Sequence, residues 1–219
     1  MSRVPFPDVT GRRLRAPSRT SFAGDGMASL GHASMNATNI TWKDLHEAAQ
    51  DFGVSPRAII SAAWGYVLYL YVAHECDNVA FDAVDADTCV AISFGPSLCR
   101  WEDPISMVQL SEKAWLSDRH VQIHGPVLFV SAPDQDTQSA LSLAESTLSR
   151  TDSSLSLVFI AHQAHTSTSS SSSHPVALTL LASPSVHIHG SAMTQLAQVE
   201  HVLHALVHRL NPTKSIPTE

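Results

Sequence analysis

Residues 41–85, TWKDLHEAAQDFGVSPRAIISAAWGYVLYLYVAHECDNVAFDAVD, decide the fold of this chain. The hydrophobic pattern predicts a short amphipathic helix, an almost entirely apolar helix and, after an acidic turn, a strand. Ser55 suits the N-cap of the second helix, and Pro56 suits its first position, where a missing N–H is no loss.

The second helix has no polar face, because only one serine and one glycine interrupt the apolar run over residues 58–73. A helix of this kind lies inside a core or in a membrane. The run is shorter than the roughly 20 residues that a membrane span needs. We therefore predict a buried core helix and no membrane insertion.

Capping and periodicity predict the remaining elements. Thr41 and Asp44 have capping-box spacing for the first helix, and Gly53 can end it. Asp103 can cap a helix over residues 104–118. Apolar runs predict a hairpin of strands 78–84 and 89–94, further buried strands at 127–132, 155–163 and 176–182, and a final helix at 191–210. Residues 138–150 fit either a helix or a long surface loop.

The chain divides into three parts by composition. Residues 1–39 form an irregular, basic N-terminal segment with arginines and prolines, which fits either a lead-in to the domain or an organelle transit peptide. Residues 40–212 form one domain, and residues 213–219 form a tail. Residues 166–173 contain only serine and threonine. They have no apolar surface to offset their ordering entropy, so we predict a disordered loop in a long hairpin.

The central segment resembles a known family. Its pattern is Leu45, Ala48 and Gly53-Val54-Ser55, followed by Ala62-Ala63-Trp64, Val67-Leu68 and Asp77-Asn78-Val79-Ala80-Phe81. This pattern resembles the second, C-terminal lobe of condensation domains from nonribosomal peptide synthetases. The layout is also similar to the condensation-like N-terminal region of fungal aminoadipate reductases, ahead of their adenylation domain.

The resemblance implies an α/β fold, one half of a chloramphenicol-acetyltransferase-like architecture, with a mixed sheet and helices packed on one face. It also implies an adenylation domain or a phosphopantetheine carrier protein as partner. Condensation domains place their catalytic histidine in a His-His-x-x-x-Asp-Gly motif on the first lobe, and this sequence contains no such motif. The Asp-Phe-Gly tripeptide at residues 51–53 ends a helix and does not match the family's second-lobe motif.

We therefore predict a non-catalytic condensation-like lobe that serves as a docking or structural module. The alternative is a fragment or subunit of an acyl-transferring or adenylating synthetase or reductase that is active only with additional domains. Whether the chain belongs to an enzyme stays open at this point.

Other candidate residues carry no predicted chemistry. The chain has 13 histidines, among which His201, His204 and His208 share the solvent face of the final helix, His187 and His189 share one side of a strand-like segment, and His162 and His165 flank the Ser-rich loop. Metal binding is the alternative for the first two groups, and calorimetry with zinc would test it. Asp82, Asp85 and Asp87 fit an acidic turn. We predict no catalytic, cofactor-binding or metal-binding residue.

Composition limits the environment and the partners. The net charge of −7 argues against nucleic acid as a partner. Three cysteines, Cys76, Cys89 and Cys99, are an odd number and lie in or beside apolar runs. They are typical of reduced thiols in a cytoplasmic protein.

Overall fold

The computed structural model describes eight stretches of the chain: residues 31–72, 78–85, 88–94, 103–117, 127–130, 157–163, 174–182 and 192–210. Within them lie six strands and four helices, which are β1 (Gly31–Thr41), α1 (Trp42–Phe52), α2 (Pro56–Val72), β2 (Val79–Val84), β3 (Cys89–Phe94), α3 (Pro104–Trp115), β4 (Val127–Val130), β5 (Leu157–Gln163), β6 (Pro175–Ala182) and α4 (Ala192–Leu210).

The strands form one mixed sheet in the order β1-β6-β5-β4-β2-β3. The central pairs β2–β4 and β4–β5 are parallel, whereas β2–β3, β5–β6 and β1–β6 are antiparallel. Both predicted hairpins, β2–β3 and β5–β6, are therefore confirmed. Parallel strands in the middle of a sheet require cover on the sheet faces, which explains why β4 is buried along its whole length.

Local capping confirms the prediction for α1. The Thr41 hydroxyl accepts from the Asp44 N–H at 3.2 Å, and the Thr41 N–H donates to the Asp44 carboxylate at 3.0 Å. Gly53 ends the helix with a positive φ of 74°, a left-handed conformation that suits glycine. The predicted cap of α3 is also present, because Asp103 accepts from the Ile105 N–H.

Helix α2 is buried on all sides in its middle, as the sequence predicted. The Trp64 ring stacks on the Phe159 ring of β5 with centroids 4.5 Å apart and an interplanar angle of 11°. The alternate strand residues on the same sheet face, among them Phe81 and Leu128, join the helices in one hydrophobic core. The apolar seam of α4 packs into this core as predicted, through Leu196, Val199, Leu203, Leu206 and Leu210.

Strand β1 corrects the predicted N-terminal segment. The sequence assigned all of residues 1–39 to irregular structure, but Gly31–Thr41 is a strand that pairs with β6 from Gly31↔Ala182 to Asn36↔Ala177. Apart from Ile40 near its end, its inward side chains are small or flexible, and its outward ones are polar, so it carries little hydrophobic signal of its own. Pairing with the buried strand β6 stabilises it, and tertiary context therefore overrides a weak local pattern.

Several sequence predictions fall outside the described residues. These are the structure of residues 1–30, the helix or loop at 138–150, the disordered Ser-rich loop at 166–173 and the tail at 213–219. They stay predictions. The observed helices and strands otherwise lie within a few residues of the predicted bounds.

Gly65 tests the close packing of α2 on the sheet. A Cβ at this position would overlap the Phe94 ring and would lie 3.0 Å from the Phe81 ring. We expect Gly65→Ala to lower the free energy of unfolding by about 1–3 kcal/mol, although alanine favours helices, because overpacking outweighs propensity. Chemical denaturation of Gly65→Ala, Phe94→Leu and the double variant measures the effect. Additive losses in the double variant would contradict the assigned overlap.

Candidate functional site

Polar contacts join the start of α2 to α3. The Glu112 carboxylate of α3 accepts from the Ser55 N–H at 2.9 Å and from the Ser55 hydroxyl at 2.5 Å. Ser55 lies directly before α2, as predicted for a cap, and its carbonyl accepts from the Ala58 N–H. Glu112 thus anchors the first turn of the buried helix to its neighbour.

Arg57 continues this connection towards the sheet. Its guanidinium pairs with the Asp85 carboxylate at 2.5 Å and lies over the Trp115 ring, 4.6 Å from the centroid. The Trp115 indole N–H donates to the Ser61 hydroxyl at 3.0 Å, inside the core. We call this set of residues the α2–α3 clasp: Ser55, Arg57, Ser61, Asp85, Glu112 and Trp115. Its charged groups are all used in holding three elements together.

A second clasp joins α4 to β1. The buried Glu200 carboxylate accepts from the Thr38 N–H at 2.6 Å, the Thr38 hydroxyl at 3.1 Å and the Asn39 N–H at 3.2 Å. The pairing of β1 with β6 shifts register between Asn36 and Thr41, which releases these two amides from the ladder. The Glu200 carboxylate satisfies these partly buried donors with charge-assisted hydrogen bonds.

The sheet face opposite the helix-packed core carries three buried polar side chains, and two of them are far from each other. Asp82, His162 and Thr179 are all buried there. Asp82 pairs with Val127, which in turn pairs with Val158 of β5. His162 lies four residues beyond Val158, so its position is about 13 Å along the strands and about 10 Å across them from Asp82. A carboxylate and an imidazole at that separation do not form a catalytic pair.

Cys89 is the only cysteine in the described stretches, and its surroundings oppose nucleophilic chemistry. Burial and the nearby Asp82 carboxylate raise the pKa of the Cys89 thiol. The thiolate is the reactive form of cysteine, so this thiol stays protonated near neutral pH. The observation favours the predicted inert role. Cys76 and Cys99 lie outside the described residues.

The histidine face of α4 is mostly solvated, as predicted. His201 and His208 are exposed and His204 is half-buried. The Nε2 atoms of His204 and His208 lie 3.0 Å apart, and their rings meet edge to face with centroids 4.3 Å apart. The sequence placed three histidines on this face but did not indicate that two would touch. His165, His187 and His189 lie outside the described residues.

The His204 imidazole is biased towards its neutral form. Burial lowers its pKa most, and His208 and His201 lower it further, whereas Glu200 and Asp44 oppose the change. The neutral form of one ring suits the observed contact, because one ring nitrogen must accept while the other donates.

Sequence reasoning missed the charged residues of the two clasps. Arg57 is the one charged residue in the sequence of α2, and this isolated charge is a signal that could have indicated a specific partner. Glu112 and Glu200 stand in no motif, so the sequence carries no comparable signal for them. Asp85 was predicted as part of an acidic turn and does accept from the Thr88 N–H at its other oxygen. Asp87 lies outside the described residues.

The described stretches contain no group of three or more histidine, cysteine, aspartate or glutamate side chains arranged to hold a metal ion. Within the same stretches, no helix is both long enough and apolar enough to cross a membrane.

Comparison with solved structures places the fold. The chain is similar to the epimerization domain from the third module of tyrocidine synthetase B, with a TM-score of 0.60, 8% identity and coverage of 95% of this chain and 54% of that one. It has the fold of one half of a condensation-type domain. This agrees with the predicted chloramphenicol-acetyltransferase-like half.

Two other structures give the same result for the condensation-type fold. The cyclization-docking bidomain EpoB from Sorangium cellulosum matches with a TM-score of 0.59 and 12% identity, over 89% of this chain and 46% of that chain. The condensation domain of the monacolin K polyketide synthase MokA matches with a TM-score of 0.53 and 10% identity, over 89% and 51%. The chain thus spans about half the length of these structures. No protein-family model and no curated protein matches the sequence.

The α4–β1 clasp can be tested with a matched pair of variants. We expect Glu200→Ala to lower the free energy of unfolding by about 1–3 kcal/mol, because it removes the charged acceptor of three partly buried donors of Thr38 and Asn39. Glu47→Ala removes another helical glutamate, which pairs with Lys43 at the surface at 3.7 Å. Its effect should stay within about 0.5 kcal/mol. Equal losses in urea denaturation would rule out a special role for Glu200.

The lowered pKa of His204 predicts a pH effect with a definite sign. The unfolded chain, with the ordinary pKa of 6.5, takes up a proton more readily than the folded chain. The neutral histidine's contribution is therefore fully present above that pH and is lost as the pH falls through the lower folded value. Thermal unfolding between about pH 8 and pH 5 should show a smaller loss of Tm in His204→Gln than in the parent chain. Identical profiles would refute the shift.

Proposed function

We propose that this chain is a non-catalytic condensation-like lobe that acts as a docking or structural module. Its partners would be an adenylation domain or a phosphopantetheine carrier protein. In this proposal the lobe corresponds to the C-terminal half of a condensation domain, in a peptide synthetase or in the region ahead of the adenylation domain of an aminoadipate reductase. The proposed setting is the cytoplasm.

The fold over half of a condensation-type domain carries this proposal. The similar structures are about twice as long as the span that this chain covers. In condensation domains the reaction site lies between two lobes, and the resemblance assigns the catalytic histidine motif to the other lobe. A single lobe therefore offers surfaces for neighbouring domains without offering the complete site.

The chemistry of the described residues supports a non-catalytic role. Arg57 and Glu112 are engaged in the α2–α3 clasp, and Glu200 is engaged in the α4–β1 clasp. The raised pKa of Cys89 keeps that thiol protonated. A catalytic group needs a free reactive form held near the reacting atoms. These groups instead connect helices and strands.

His162 is the residue that most directly challenges the non-catalytic proposal. It is the one buried histidine among the residues that the structure describes. Buried imidazoles near neutral pH are common acid–base catalysts. Among the described residues, His162 is therefore the first candidate for intrinsic acyl-transfer chemistry, which makes His162→Gln the informative control.

Acyl transfer and binding, measured on the same chain, test the proposal. The purified chain is mixed with an acyl-loaded carrier protein and an amine acceptor, and mass spectrometry follows the pantetheine arm. We expect no transfer above the rate without protein, and saturable binding of a carrier or adenylation domain by calorimetry. Transfer above that rate would refute the non-catalytic role, and its loss in His162→Gln would assign the chemistry to His162. Absence of binding to both kinds of domain would refute the docking role.

The second candidate is a fragment or subunit of an acyl-transferring, adenylating or reducing synthetase that becomes active with further domains. The half-length match favours it. Adding a separately expressed first lobe that carries the His-His-x-x-x-Asp-Gly motif tests this candidate. Restored condensation would support it over the non-catalytic module, and a stable but inactive complex would support the module.

A further inference from the structure

The contact between His204 and His208 has the form of a chelating pair. The two residues lie four positions apart on α4 and therefore on the same side of the helix. Their Nε2 atoms approach to 3.0 Å. Imidazole is the commonest protein ligand for transition metals, and it binds through a ring nitrogen that carries no proton.

The separation of the two nitrogens selects a geometry. With metal–nitrogen bonds of about 2.05 Å, a distance of 3.0 Å corresponds to an angle of about 94° at the metal. A tetrahedral centre would need the nitrogens about 3.3 Å apart. An angle near 90° occurs at tetragonal and octahedral ions such as Cu²⁺ and Ni²⁺, which also suit imidazole ligands.

The part of the chain that the structure describes supplies no third histidine, cysteine or carboxylate ligand at the pair. His208 is exposed, and His204 is half-buried. The two carboxylates that act electrostatically on His204 are already used, because Glu200 accepts from β1 and Asp44 accepts from Thr41. They contribute negative charge near the pair without serving as ligands.

We propose that His204 and His208 form a two-histidine site for a divalent transition-metal ion such as Cu²⁺ or Ni²⁺. The sequence favoured a solvated face for His201, His204 and His208 and kept metal binding as the alternative, so this proposal departs from the favoured prediction. It does not depend on the proposed docking function. Because both ligands lie in the last turns of α4, the bound ion would link those turns and oppose their fraying.

The same contact is also compatible with a simple hydrogen bond between the two rings, and metal titration distinguishes the two. Isothermal calorimetry with Cu²⁺ and Ni²⁺ near neutral pH is carried out on the full chain. His204→Gln, His208→Gln and the double variant remove the ligands. His201→Gln is the matched control, since it removes an exposed imidazole from the same helix face but leaves the pair intact. The double variant also measures binding by other histidines of the chain.

We expect each single ligand variant to weaken binding by at least about tenfold, because the second contact acts at a high effective concentration. His201→Gln should stay within about twofold of the parent chain. The Cu²⁺ complex should show coupling to two nitrogens by electron paramagnetic resonance, which the double variant should lose. An affinity and stoichiometry unchanged in the double variant, or an equal loss in His201→Gln, would overturn the site, as would no binding by the parent chain.

Discussion

The packing of helix α2 against the sheet is the constraint on which the rest of the structure depends. Trp64 stacks on Phe159 of the central strand β5, and Gly65 lets the helix approach Phe94 of the edge strand β3. One helix therefore contacts strands from both the middle and the border of the sheet. Exposure of its apolar surface to water is unfavourable. Burial of α2 and assembly of the sheet are therefore coupled.

The polar clasps convert this non-directional packing into a fixed arrangement. Hydrophobic burial alone would tolerate sliding and rotation of the helices. Glu112 and Arg57 fix the start of α2 relative to α3 and the end of β2, and Glu200 fixes α4 relative to β1. Each clasp uses a charged group to satisfy specific partners at the margin of the core, where a missing partner is costly. Arg57, Glu112 and Glu200 are therefore committed to structural contacts.

Most of the framework could be predicted from the sequence because its signals are local. The cap at Thr41, the stop at Gly53 and the apolar seam of α4 each depend on residues a few positions apart. Strand β1 could not be predicted, because its order comes from pairing with β6, which is more than a hundred residues away in the chain. The contacts of Glu200 and of the His204–His208 pair likewise depend on tertiary placement and rotamers, which no spacing rule supplies.

The central claim is that this chain folds as a half-domain around a helix whose middle is fully buried, and native-state hydrogen exchange of the isolated chain tests it most directly. The amide protons in the middle of α2 should exchange only through global unfolding, with a free energy equal to that from denaturant titration. Exchange of those amides at the rate of an unstructured peptide, while the chain retains its helical circular dichroism, would contradict the account.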